Sequence, residues 1–192
     1  MDQMTTQAAH RIALSPGWVK GWQAAALVAA ALLAGCTSSP AINTGPLGGG
    51  GEPGAECARI PPGGVLGYGF EEFRNTGAAT ATIEKVALTD PRGLRMLAAY
   101  VVPVTGHVLY GVQPGWPPAF LPPGLQWPQR QKAVGAQIPH SPGHDAINLL
   151  LVLKPTGRVG TARSVDVYYQ ASGQNYHLRT VTSIRVLVVR SC

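Results

Sequence analysis

The sequence predicts an all-β fold, an antiparallel β-sandwich spanning residues 57–192, on three observations. Six or seven stretches have the length and the β-branched or aromatic content of strands, turn residues stand at each junction, and Cys57 and Cys192 bracket the region. Ahead of it the chain divides into an export segment, residues 1–35, and a Gly- and Pro-rich stretch, residues 36–56.

The clearest strand lies near the C-terminal end, where Val165, Val167 and Tyr169 alternate with Ser164, Asp166, Tyr168 and Gln170. A turn follows over 171–175. Residues 176–181 alternate again, and 184–189 carry Arg185 as their one charged member, so the three segments read as a meander. Residues 146–153 are almost continuously apolar and stop at Lys154-Pro155, which suits a central strand buried on both faces or a short buried helix.

Further upstream, residues 65–73, a turn at 74–77 and residues 80–88 read as a hairpin. Within it Ile83 and Val86 are three apart, so they share a face only across a bulge. Residues 94–104 are ambiguous: Leu94, Leu97, Ala98 and Val101 have helical spacing, but β-branched residues and Pro103 close the stretch.

The most unusual segment runs from 111 to 143 and holds Trp116-Pro117-Pro118, Phe120-Leu121-Pro122-Pro123 and Trp127-Pro128. It is far longer than the usual connection of about 4–6 residues. Trp116, Phe120 and Trp127 are therefore candidate ligand-binding residues, a rigid aromatic platform for a glycan, a peptide or a partner protein. The other reading has these rings pack back over an open sheet edge.

Composition excludes several classes of function. The net charge of +6 is spread without a run of Lys or Arg, so no nucleic acid is expected as a partner. The three cysteines are too far apart for zinc or dithiol redox motifs. His140 and His144 are four apart with Asp145 adjacent, but Ser141-Pro142-Gly143 opposes the helix that would align both rings. A metal- or small-ligand-binding protein using these two histidines is kept as the alternative; no metal or cofactor is expected. The chain has no G-x-S-x-G elbow, and the adjacent acids Glu71 and Glu72 would point to opposite faces of a strand. No catalytic residue is assigned, and the expectation is a protein that is not an enzyme.

At the N-terminal end, Arg11 and Lys20 precede an apolar run over residues 24–34. As a helix this run rises about 16 Å, roughly half a hydrocarbon core, so it suits a cleaved signal rather than a membrane span. It ends in Leu33-Ala34-Gly35-Cys36, which resembles the lipobox of bacterial lipoproteins. The resemblance implies a signal peptide over 1–35, diacylglycerol on Cys36 with fatty-acyl chains such as palmitate, and a lipid-anchored protein on the extracytoplasmic face of the cell membrane. The alternative is an ordinary secretory signal with a chance cysteine. Two acyl chains suffice for stable anchoring, at about 0.8 kcal/mol per buried CH₂. Thr37 replaces the aspartate of the inner-membrane retention signal.

Residues 36–56 read as a flexible tether with a reach of roughly 25 Å. Export favours a Cys57–Cys192 disulfide, which in the chain-entropy model stabilises by about 4.7 kcal/mol; two free thiols are the alternative. The strand, Asn75-Thr76-Gly77 turn and strand are similar to immunoglobulin-like accessory domains of secreted bacterial proteins, although the antibody Cys…Trp…Cys spacing is absent. Together these readings describe a non-catalytic surface lipoprotein, attached to the membrane by its anchor, whose sandwich binds or scaffolds an envelope protein or glycan.

Overall fold

The computed structural model describes residues 42–50, 54–61, 63–106, 108–143 and 145–188. They are all-β: apart from a 3-10 turn at Trp127–Gln129, every regular element among them is a strand. One sheet has the order β1 (Ile42–Asn43), β13 (Gln174–Arg179), β12 (Ser164–Ala171), β5 (Ala81–Thr89) and β9 (Gln137–Ile138). The second runs β2 (Leu47–Gly49), β4 (Leu66–Asn75), β10 (Ala146–Pro155), β6 (Leu94–Val104) and β8 (Gln131–Lys132), with β7 (Gly111–Pro114) also on β4. A third small sheet joins β11 (Val159–Ala162), β14 (Thr182–Leu187) and β3 (Gly54–Arg59). All pairings are antiparallel except β14 with β3.

The two larger sheets face each other across one core. Leu66, Tyr68, Phe73, Leu149, Leu151 and Leu153 come from one; Ile83, Val165, Val167, Tyr169 and Leu178 come from the other. The alternation read from residues 164–170 is what delivers this, since odd positions point inward from β12. The bulge expected between Ile83 and Val86 is present at Glu84, where Tyr168 pairs with Lys85 but Tyr169 with Ile83. Both Ile83 and Val86 are thereby buried. Strand β10 is buried on both faces, and the ambiguous stretch 94–104 is a strand along its whole length beside it.

Four expectations change. Residues 65–73 and 80–88 do not form a hairpin: they belong to β4 and β5, which lie in different sheets. Asn75 makes the crossing, because its fully buried amide donates to the Ala79 and Ile138 carbonyls and accepts from the Gly77 N–H. The C-terminal meander also breaks after two strands. At the corner, the Thr180 N–H donates to the Val165 carbonyl and its hydroxyl accepts from the Val165 N–H, after which β14 leaves for the third sheet.

Within the predicted tether over 36–56, the described residues 42–50 and 54–56 are folded into the sheets. Strand β1 pairs with β13 and β2 with β4, and Leu47 is fully buried. Edge pairing uses backbone groups, so a Gly-rich stretch with little side-chain pattern joins a sheet as readily as any other. Finally, segment 111–143 is not an open loop. Its three short strands pair with β4, β6 and β5, stitching both larger sheets.

Candidate functional site

Strand β7 lies on β4 and β8 lies on β6, at opposite sides of the six-stranded sheet, so residues 115–130 must cross its outer face. The sequence prepares that face. In β4, Leu66 and Tyr68 point into the main core, while Gly67 and Gly69 leave the outer side bare, and Tyr110 lies on them; a methyl group at Gly67 would overlap the Tyr110 hydroxyl. The Asn148 side chain of β10 fixes the approach. Its carbonyl accepts from the Tyr110 N–H at 2.9 Å, and its amide donates to the Gly69 and Glu71 carbonyls at 3.3 and 2.9 Å. A second apolar cluster follows, with Val102, Val104, Tyr110, Leu125, Ala146 and Leu150 buried beneath the crossing.

The three candidate ligand-binding residues separate here. Trp116 stacks on Tyr100 at 5.2 Å, Trp127 meets the edge of Trp116 at 5.5 Å, and the Arg130 guanidinium sits 4.6 Å over the Trp127 ring. Both indoles are half-buried. Phe120 is apart from them, 63% exposed, with Leu121 beside it 38% exposed. The crossing is pinned at its far end, where the Thr105 N–H donates to the Gly124 carbonyl and the Gln126 N–H to the Pro103 carbonyl. The Phe120 N–H donates to Gln113 Oε1 at 3.3 Å. An apolar tip is thus held on a fixed aromatic base.

The outer face of the five-stranded sheet carries a polar cluster. Asp166 accepts from Arg179 Nε at 2.7 Å and Nη2 at 3.3 Å and from Thr89 Oγ1 at 2.6 Å, and its Oδ1 lies 2.7 Å from His177 Nε2. Tyr168 stacks on the His177 ring at 4.5 Å, and Lys85 Nζ lies 5.3 Å over Tyr168. Burial pushes the Asp166 carboxyl up, but hydrogen bonds from Arg179, Thr89 and His177 and the charge of Arg179 outweigh it and hold it below the usual carboxylate range. Both carboxylate oxygens are engaged by residues of β5 and β13, the two strands that flank β12. The cluster is therefore a staple between β5, β12 and β13, not a free base.

Glu71 is the opposite case. It is fully buried on the inward side of β4, and burial pushes its carboxyl up to about 8. The Thr182 and Thr180 hydroxyls face it and favour the charged form, yet neither closes a well-aligned hydrogen bond on its oxygens. At neutral pH it is a protonated acid inside the core.

His140 is exposed at the surface, next to Ser141, whose N–H donates to the Asn75 carbonyl. His144, Cys36, Cys192 and the side chain of Cys57 lie outside the described residues, as does the whole of 1–35. Among the described residues no three His, Cys, Asp or Glu gather as metal ligands, and no helix is long and apolar enough to cross a membrane. No protein-family model matches the chain, and no curated protein matches it.

Proposed function

We propose that the protein is a non-catalytic bacterial surface lipoprotein, anchored through diacylglycerol on Cys36, whose immunoglobulin-like sandwich binds an envelope protein through Phe120 and Leu121. The observation that carries the binding reading is the pair itself. Two large apolar side chains stand in solvent on a segment whose flanks are bonded to β6 and packed on a second core, so their exposure is not the result of a slack loop. Such a tip enters a partner's pocket with little backbone left to order.

Strand order supports the immunoglobulin-like part. The path β2-β4-β10-β6 in one sheet against β5-β12-β13 in the other follows the ABED and CFG sheets of that fold, with the aromatic insertion between the D and E positions. The polar cluster supports the non-catalytic part, since Asp166 is saturated by its neighbours. The anchor rests on the apolar run and Leu33-Ala34-Gly35-Cys36. A Cys57–Cys192 bridge belongs to the same proposal. Cys57 pairs with Arg185 in the β3–β14 ladder, so the bridge requires the chain beyond Val188 to turn back along that ladder.

A photo-crosslinking residue at position 120 in living cells tests the binding face. A discrete adduct with one envelope protein is expected, lost in Leu121→Ser. A glycan adduct, or none, overturns the protein-partner reading. Phe120→Ser with Leu121→Ser is expected to change stability by less than about 0.5 kcal/mol, as for exposed sites. In the same cells Cys36→Ser is expected to move the protein out of the membrane fraction once that fraction is washed in high salt, which leaves an acylated protein in place.

A further inference from the structure

The strand registers define the two ends of the sandwich. At one end lie the β5–β6 turn after Thr89, the β10–β11 turn after Pro155 and the start of β12 at Ser164, since Ser164 pairs with Thr89 and Pro155 with Leu94. The Arg92 N–H and the Thr156 N–H tie these turns together, donating to the Thr161 and Gly93 carbonyls at 2.9 Å. Arg92, Arg95, Lys154, Arg158 and Arg163 all project from this end, against Asp90 as the one acid of the same turns, already paired with Arg163 at 3.2 Å.

Arg95 and Lys154 are directly opposite each other across the β6–β10 ladder. Like charges in that relation repel, and no carboxylate among the described residues lies within ion-pair distance of either. With Arg158 they line an open cleft of about 840 Å³ that has no acid among its described lining residues. The Arg158 carbonyl accepts from the Val188 N–H at 2.9 Å, which fixes the rim. Among the described residues, folding has collected Arg95, Lys154 and Arg158 here without an acid to neutralise them.

The chain enters the domain at this same end. Ile42 pairs with Arg179, Arg179 with Asp166 and Asp166 with Ala87, so Ile42 sits beside the end of β5 that carries Asp90. The five residues between Cys36 and Ile42 allow a separation of at most about 20 Å. Strand β10, at ten residues, is about 33 Å long, so an anchor at Cys36 is too short to turn the opposite end of the sandwich to the bilayer.

We propose that the cationic end, centred on Arg95, Lys154 and Arg158, is a docking surface for an anionic phospholipid bilayer and holds the domain against the membrane that carries its anchor. This rests on the lipid-anchor reading for its orientation. The cleft receives phosphate headgroups, and the outlying Arg92 supplies further attraction. Charge complementarity and chain entry are independent features of the sequence, and they select the same end.

Both apolar clusters lie between Leu47 and Val188, so a chain beginning at Thr37 keeps everything the fold needs and lacks the acylation site. Its sedimentation with vesicles of phosphatidylcholine alone, and of an equal mixture with phosphatidylglycerol, tests the surface directly. Binding is expected to the mixture only, and to disappear as salt rises from about 0.1 M to about 1 M. Arg95→Ala with Lys154→Ala and Arg158→Ala is expected to weaken partitioning on the order of a hundredfold, from about fivefold per cation near an anionic surface. Lys85→Ala with Arg130→Ala and Lys132→Ala removes equal charge elsewhere and is expected to weaken it far less.

Equal binding to both vesicles, or equal loss in the two triple variants, overturns the proposal. Competition by millimolar inorganic phosphate that abolishes vesicle binding would reassign the cleft to a small anion. The intact mass of the cellular protein tests acylation of Cys36 separately. An unmodified Cys36 with lipid-selective binding leaves the surface standing and removes the anchor; an acylated Cys36 without selectivity does the reverse.

Discussion

The two large sheets present opposite outer faces. That of β4-β10-β6 is apolar and roofed by its own chain, with Leu150 and Tyr110 sealed beneath the aromatic crossing. That of β5-β12-β13 is polar and unroofed, and Asp166, His177, Arg179 and Tyr168 satisfy one another there. The difference teaches how a sheet face is closed. An apolar face needs a covering segment, which can then carry exposed groups of its own; a polar face closes itself by cross-strand bonds and has nothing to display.

The contrast can be broken most strongly at Leu150. Leu150→Ala is expected to destabilise by about 3 kcal/mol, because the pinned crossing cannot collapse into the space; chemical denaturation measures it, and a loss below about 1 kcal/mol would mean the roof is loose. Between the faces lies Glu71. Its folded pKa of about 8 exceeds the unfolded value near 4.5, so its favourable contribution is complete below pH 4.5 and is lost as pH rises through 8. About 2 kcal/mol is expected to disappear between pH 6 and pH 8, and Glu71→Gln should flatten that slope in a melting series.

On the polar face Asp166→Ala is expected to cost about 1–2 kcal/mol at neutral pH, since it strips Arg179 and His177 of their shared partner. The folded pKa of Asp166 lies below its unfolded value. Its contribution is therefore present above about pH 4 and fades as pH falls further, the reverse of Glu71, and acid titration of the variant should show a shallower loss. The smallest effect is expected at the tip, where the Phe120 and Leu121 substitutions should leave stability almost unchanged while binding is lost.

Much of this was legible in the residues. Alternation over 164–170 gave β12 its inward side, the apolar run at 146–153 marked a strand covered on both faces, and the spacing of Ile83 and Val86 required the bulge at Glu84. Sheet membership was not legible. The turn residues at Asn75 look alike whether the next strand returns beside the first or crosses to the other sheet, and the choice is made by a buried amide reaching Ile138, 63 positions away. The segment 42–49 was missed because glycine-rich edge strands pair through backbone alone.

The polar cluster had a signal that went unused. With Ser172 and Gly173 both at positive φ, the two-residue turn mirrors β12 onto β13, so Tyr168 falls opposite His177 and Asp166 opposite Arg179. Tyr100 as the support of Trp116 had none, since it comes from a separate strand.

The early commitment of the backbone at Ile42 bears on how long such a protein stays in place. Proteases cut extended, unpaired chain, and the backbones of β1 and β2 are held in ladders. If the protein is fastened at Cys36 as proposed, the ladders of β1 and β2 withhold residues 42–43 and 47–49 from cutting next to the anchor. Under the proposed anchoring, the paired entry strands make the molecule a lasting fixture of its surface rather than a released factor.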